Sequence, residues 1–203
     1  FKMYSIDELP LQDLQNFWSL LYMDFCRKIC TDHPAEGETV IRRAIAETGR
    51  RQGEWQRQEH EQMGLNTNLH SFFLDGRGAV CDPRSAAAVH TRNTEVCLWD
   101  RYICPMANYW AAHSAEAYGR FYCEEYMRAF LSGYTGGKGQ FHLSKVLTDK
   151  RDILCQFAAY FRPANLELEQ RRKAFESTPV RQEAPVGSFS DYIREKAVLF
   201  CAF

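Results

Sequence analysis

The residues best suited to chemistry lie between positions 96 and 126, where cysteine, histidine, glutamate and arginine occur among aromatic side chains. Within this stretch His113 and Glu116 are three residues apart, and Arg120 follows Glu116 by four, so the three share one face of a predicted helix. The unperturbed pKa of histidine lies near neutrality, which makes His113 the best acid–base candidate. An arginine fork suits a carboxylate. The spacing therefore predicts a face that transfers a proton and binds an anion.

A Cys104-Pro105 step divides this stretch into two elements. Residues 89–103 are rich in β-branched and aromatic side chains, which predicts a strand. Residues 105–131 are predicted to form one long helix, and proline is favoured at its first position. The pKa of a thiol falls at a helix N-terminus, so Cys104 is the preferred nucleophile among the cysteines of this stretch.

The helix predicted over residues 38–63 is unusually rich in charge. Its arginines and glutamates nearly balance, which indicates a solvated face with ion pairs. In a second interpretation one inward arginine, for which Arg50 is the candidate, binds a substrate carboxylate. Gly49 and Gly53 lie four residues apart in this helix, where each glycine lowers helix stability relative to alanine. We therefore predict that another backbone approaches the helix closely at this point.

The elements that must position these residues are further helices and a hairpin. Apolar residues at helical spacing predict a helix over residues 5–31, with Ser5 as its N-cap. Strand-like runs at 140–148 and 152–161 are joined by a polar turn. Together with the strand at 89–103 they give an antiparallel sheet of at least three strands. The predicted fold class is α+β, with helices packed on this small sheet.

The chain of 203 residues has the length of one domain. We interpret residues 1–203 as a single domain with an N-terminal helical part (1–63), a strand–helix–hairpin core (64–162) and a C-terminal helical extension (163–203). The apolar residues at the very end of the chain are expected to dock on the body or on a second copy of the chain. The second case would make the protein a homo-oligomer.

Bulk composition excludes several functional classes. The formal net charge of −1 argues against nucleic-acid binding, which needs a basic excess. No apolar run reaches the roughly 18–20 residues of a membrane span, and the first ten residues lack the apolar region of a signal peptide. We therefore expect a cytoplasmic protein whose cysteines are reduced, with neither a nucleic-acid nor a membrane partner.

Four short motifs occur in a definite order along the chain. They are G-R-R-x-G from Gly49 to Gly53, the Cys104-Pro105 step, Phe121-Tyr122-Cys123-Glu124-Glu125, and Cys155-Gln156-Phe157. In order and spacing they resemble the L-2-amino-thiazoline-4-carboxylic acid hydrolase family over roughly residues 38–162. The resemblance implies a hydrolase acting on C–N bonds, which opens a small cyclic amidine-like ring to an N-carbamoyl amino acid. We predict no cofactor for this reaction.

Water attack on such a ring requires a base, an acid and a cation for the substrate carboxylate. The candidate catalytic residues are Cys104, Cys123, His113 and Glu125. Glu125 lies two residues after Cys123 and points elsewhere, so one of the two is expected to face the pocket, whereas Glu124 is expected to face solvent. The candidate substrate-binding residues are Arg50, Arg120 and Tyr122.

The resemblance selects three cysteines, Cys104, Cys123 and Cys155, and their role has three interpretations. In the first, one cysteine is a catalytic thiolate and the others are its buried neighbours. In the second, they bind a metal together with His113 or Cys97. In the third, they only pack in the core, which is the common state of a free cysteine. Cys97 and Cys104 are too far apart for a short chelating loop, so we predict no metal site. Two functional alternatives to a hydrolase stay open, a non-catalytic small-molecule or metal-binding module and an oligomeric structural subunit.

Overall fold

A computed structural model describes residues 9–74, 82–176 and 189–203. Within these ranges the chain forms α-helices and one four-stranded sheet, together with a 3₁₀ turn at Pro163–Asn165 and a π-helical turn at Arg172–Glu176. The elements are α1 (Leu11–Asp32), α2 (Gly37–Gln62), α3 (Leu69–Leu74), β1 (Ala86–Arg92), β2 (Val96–Ile103), α4 (Pro105–Ala112), α5 (Glu116–Tyr134), β3 (Gln140–Lys145), β4 (Cys155–Tyr160), α6 (Leu168–Arg171) and α7 (Phe189–Ala202).

The sheet is antiparallel throughout, with the strand order β1-β2-β4-β3. Its inward side chains join the helical core, where the Trp99 ring of β2 stacks on Phe157 of β4 at 4.8 Å and meets Phe73 of α3 edge-on at 4.9 Å. The predicted α+β fold class, with helices on an antiparallel sheet of at least three strands, is confirmed.

Two predicted elements are each divided in the structure. The strand predicted over residues 89–103 is a hairpin, because the side-chain oxygen of Asn93 accepts hydrogen bonds from the amides of Glu95 at 2.9 Å and Val96 at 2.8 Å and so closes a turn. The helix predicted over residues 105–131 is two helices, α4 and α5. Ser114 lies between them with φ of 53°, a left-handed conformation that interrupts a right-handed helix.

The first helix begins later than predicted, and the short third helix has a side-chain N-cap. Helix α1 begins at Leu11 because Pro10, at φ −56° and ψ 146°, is extended and disfavours helical conformation in the residue before it. The predicted N-cap at Ser5 lies outside the described residues. Helix α3 is capped by Asn68, whose side-chain oxygen accepts a hydrogen bond from the amide of His70 at 3.0 Å.

Helices α2 and α5 pack with their backbones in contact. A Cβ atom added at Gly49 would lie 2.5 Å from the carbonyl oxygen of Tyr126, and one at Gly53 would lie 2.1 Å from that of Phe130. Gly133 of α5 makes the reciprocal close contact with α2, since a Cβ atom added at Gly133 would lie 2.1 Å from the carbonyl oxygen of Arg50. The predicted close approach at Gly49 and Gly53 is confirmed.

The C-terminal helix docks on the body of the protein. Ile193 and Phe200 of α7 are buried, and the Phe200 ring lies 5.4 Å from that of Tyr22 in α1. Docking on the body is therefore confirmed for Phe200, whereas Val198 and Phe203 remain exposed. Homo-oligomerisation through α7 stays a prediction. None of the helices in the described ranges has the length and apolar character needed to cross a membrane.

Candidate functional site

The three cysteines of the family-like motifs come together at one end of the sheet. Strand pairing places Cys155 opposite Arg101, and Cys104 follows the last residue of β2 as the N-cap of α4. Cys123, which lies on α5, is the third cysteine of this cluster. Burial raises the pKa of the Cys123 thiol well above its ordinary value, and proximity to the other two thiols raises it further. The cluster therefore exists, and Cys123 is a neutral thiol at neutral pH.

Cys155 is held by a backbone hydrogen bond. Burial raises its pKa to about 11, and the amide of Leu147, which donates to Sγ at 3.2 Å, opposes that rise. Within the described ranges no three histidine, cysteine, aspartate or glutamate side chains are arranged to hold a metal ion. The three thiols are thus close neighbours without the geometry of a metal centre.

A polar cleft of about 470 Å³ lies between α5 and the β3–β4 connection. It contains Arg120, one of the predicted substrate-binding residues, whose Nε donates to Glu124 at 2.6 Å and whose Nη1 lies 3.8 Å from the carboxylate of Asp149. The cleft is rich in charge of both signs, and its lining is Arg120, Glu124, Leu143, Ser144, Lys145, Val146, Asp149, Arg151 and Asp152.

One short segment separates the cleft from the thiols. Val146 and Asp149 line the cleft. Between them, Leu147 donates its amide to Cys155, and the side chain of Thr148 lies at Cys123, where it opposes the rise of the thiol pKa. The thiols therefore lie directly behind the cleft wall, and none of the three is part of its lining.

Of the adjacent residues Glu124 and Glu125, Glu124 is the one that lines the cleft. Burial raises the pKa of Glu124, but hydrogen bonds from Arg120 and Arg42 outweigh it and hold that pKa below its ordinary value. Glu124 is the more exposed of the two glutamates, as predicted, with 30% of its side chain exposed against 14% for Glu125, and it lines the cleft. Glu125 pairs instead with Arg42 at 3.1 Å and with Arg128, outside the cleft lining.

His113 does not share a helix face with Arg120, because it caps the end of α4 before the break. Its Nδ1 lies 2.7 Å from the carbonyl oxygen of Tyr109, its ring stacks on the Tyr109 ring at 4.3 Å, and its own carbonyl accepts a hydrogen bond from Arg27. The predicted shared face is therefore wrong, and the structure does not bring His113 into the cleft.

Arg50 also lies apart from the cleft. Its guanidinium pairs with Glu47 and Glu54 of the same helix, with the Nε bond to Glu47 at 2.8 Å. Hydrogen bonds from Arg50 in turn hold the pKa of Glu47 at about 2. The structure thus matches the interpretation of α2 as an ion-paired face, and substrate binding by Arg50 stays a prediction.

Tyr122 lies in the core, and its contact identifies a residue that the sequence interpretation missed. Its hydroxyl accepts a hydrogen bond at 2.9 Å from Nζ of Lys196, a lysine that is only 2% exposed. The sequence spacing could have indicated that Lys196 is buried, because Lys196 follows the buried Ile193 by three residues and precedes the buried Phe200 by four. A lysine therefore occupies a position on the apolar face of α7.

Comparison with protein-family models, with characterised proteins and with solved structures finds no match for this chain. The resemblance to the thiazoline hydrolase family therefore stays a prediction that depends on the four motifs.

Proposed function

We propose that the chain is a cytoplasmic hydrolase that opens a small cyclic amidine-like substrate, of the kind represented by L-2-amino-thiazoline-4-carboxylate, and that the cleft beside α5 binds it. One observation carries the proposal. The cysteines selected by the resemblance, which are distant in sequence, converge behind a cleft that contains the predicted Arg120. The seven cysteines of the described ranges are free thiols, which suits a reducing compartment.

The cleft supplies the charges that this reaction requires. Arg120, Lys145 and Arg151 are cations able to hold the substrate carboxylate, for which a guanidinium fork is well shaped. Hydrogen bonds from Arg151 hold the pKa of Asp149 below its ordinary value, so Asp149, like Glu124, is an anion that accepts a hydrogen bond from water.

In the proposed reaction, water adds to the carbon between nitrogen and sulfur. The oxygen of water bonds to that carbon as the carbon–nitrogen π electrons move to the ring nitrogen, which takes one proton of the water. The carbon–oxygen double bond then forms as the carbon–sulfur bond breaks, and sulfur leaves with the electron pair and takes the other proton. The product is an N-carbamoyl amino acid with a free thiol. The ionised carboxylates of the cleft orient the attacking water, and Cys155 and Cys123 behind the wall contact the segment that carries Asp149.

Replacing Arg120 with glutamine is expected to raise the KM for the thiazoline carboxylate roughly tenfold or more, because a hydrogen bond to a charged group contributes about 1.5–3 kcal/mol. Steady-state ring opening by the purified full chain measures this. Arg128→Gln is the matched control, since Arg128 lies two turns further on α5, pairs with Glu125 and is outside the cleft lining.

Equal effects of the two substitutions on KM would contradict the assignment of the cleft. Tight binding of the thiazoline carboxylate to the wild type without any turnover would instead favour a non-catalytic small-molecule-binding module. Circular dichroism of both variants establishes that they fold.

A further inference from the structure

A second cavity, separate from the cleft, has a volume of about 670 Å³. This size is within the range of roughly 300–1,000 Å³ that is typical of small-molecule sites. The connection between α2 and α3 forms one wall, and α6 with the π-helical turn after it forms the other. Among the described residues, none that lines this cavity also lines the cleft. The cavity is therefore a candidate site for a ligand of its own.

The hydroxyl of Thr67 is a buried polar group that the protein leaves without a partner. Thr67 is 8% exposed and lines the cavity, and none of the hydrogen bonds of the described residues involves its hydroxyl. Buried polar side chains in proteins are nearly always hydrogen-bonded. A hydroxyl can donate as well as accept, so a polar group of a bound ligand would complete this site.

The wall formed by α6 and the π-helical turn presents an arginine that is not used in an ion pair. Lys173 lies 3.9 Å from Glu169, and Glu176 lies 4.0 Å from the guanidinium of Arg171. Arg172 lines the cavity between them and forms no ion pair with any described carboxylate. It is the first residue of the π-helical turn, and such turns are frequent at functional sites. Its guanidinium is available for a ligand carboxylate, which it can bind through two hydrogen bonds.

The opposite wall is negative. Helix α2 ends there, and Gly64 follows its end in the left-handed conformation, with φ of 69°. The carbonyl end of a helix carries partial negative charge and favours a cation. The carboxylate of Glu61 in the last turn adds to this charge, and its partner Arg57, at 3.3 Å, is outside the described lining. Leu65 supplies an apolar side chain on the same wall.

We infer that the cavity binds a free α-amino acid with an apolar side chain. The ligand carboxylate pairs with Arg172, while the ammonium group faces the end of α2 and Glu61 and donates a hydrogen bond to Thr67. The apolar side chain packs on Leu65. A ligand with a single charge would satisfy only one of the two walls. This binding is separate from the proposed ring opening and does not depend on it.

Titration of the ¹⁵N-labelled full chain with L-leucine, followed by ¹H–¹⁵N NMR, tests this inference. We expect the amide signals of Gly64, Leu65 and Thr67 to shift together and to saturate with a Kd of about 1 mM or below. The amide signal of Ser144, which lines the cleft, is expected to stay unchanged. Absence of saturable shifts at the three amides up to about 20 mM leucine would overturn the inference.

Two analogues of leucine separate the two charges of the ligand. Leucine amide lacks the carboxylate, and N-acetyl-leucine lacks the ammonium group. Each is expected to bind roughly tenfold more weakly than leucine or worse, because it leaves one wall without a counter-charge. Binding of either analogue as tight as that of leucine would contradict the recognition of a zwitterion.

Two variants test the residues assigned to the ligand. Arg172→Gln is expected to raise the Kd for leucine roughly tenfold or more, and Thr67→Val, which keeps the shape of the side chain, is expected to raise it several-fold. Arg43→Gln, at an exposed arginine of α2 outside the lining, is the matched control and should leave the Kd unchanged. Equal Kd values for Arg172→Gln and the control would overturn the assignment. Because the readout is binding outside the cleft, its failure leaves the hydrolase proposal untouched.

Discussion

Replacing Gly53 with alanine is expected to lower the free energy of unfolding by about 2 kcal/mol or more. The added methyl group would lie 2.1 Å from the carbonyl oxygen of Phe130, and a backbone atom cannot move aside as a side chain can. Overpacking typically costs about 1–3 kcal/mol, and a rigid contact belongs at the upper end of that range or above it. The helix propensity of alanine returns only about 1 kcal/mol. Urea unfolding followed by circular dichroism measures the difference.

The matched control is Gln58→Ala, which places alanine at an exposed position of the same helix. It is expected to change the free energy of unfolding by less than about 0.5 kcal/mol. A Gly53→Ala variant as stable as the wild type would show that α2 and α5 are not in backbone contact, and the position of α5 and its cleft would then be in error.

Replacing Lys196 with methionine is expected to change how stability depends on pH. The pKa of Lys196 is lowered by burial in the folded protein, while a lysine in the unfolded chain has a pKa near 10.4. Between the two values the unfolded chain binds one more proton, so the stability of the wild type rises with pH by up to about 1.4 kcal/mol per unit. The methionine variant would lack this dependence.

The free energy of unfolding of the wild type, minus that of Lys196→Met, should therefore grow more positive from pH 7 to pH 9.5. The buried thiols and tyrosines, whose pKa values are also raised in the folded protein, are present in both proteins and cancel in the difference. Lys145→Met, at an exposed lysine, should give a difference that does not vary with pH. A flat difference for Lys196 would mean that the aromatic rings of Tyr126 and Tyr192, whose centroids lie 4.2 Å from its Nζ, hold it as an ammonium ion.

Much of the fold follows from patterns that are local in the sequence. Charge density and apolar spacing predicted α2 almost to its ends, and Gly49 and Gly53 predicted its contact with a second backbone. The hairpin of β3 and β4 was evident because two strand-like runs flank a polar turn. These features depend on neighbours a few residues away, which the sequence displays directly.

The candidate site was only partly predictable, because it depends on where elements break and turn. The break at Ser114 falls within a run of helix-favouring residues, and it removes His113 from the face that carries Arg120. The choice between Glu124 and Glu125 depends on the angle at which α5 meets Arg42 of another helix. Burial of Lys196 likewise depends on three helices that pack around it, although its position on the apolar face of α7 indicates burial.

The most direct test of the proposed function is ring opening of L-2-amino-thiazoline-4-carboxylate by the purified wild type in water enriched in ¹⁸O. The product is identified by mass spectrometry, and a Cys104→Ser/Cys123→Ser variant, checked for folding, serves as the comparison. We predict N-carbamoyl-cysteine with one ¹⁸O atom in the carbamoyl group, formed by the wild type and at least tenfold more slowly by the variant. Formation of product no faster than in a blank without protein would contradict the hydrolase proposal.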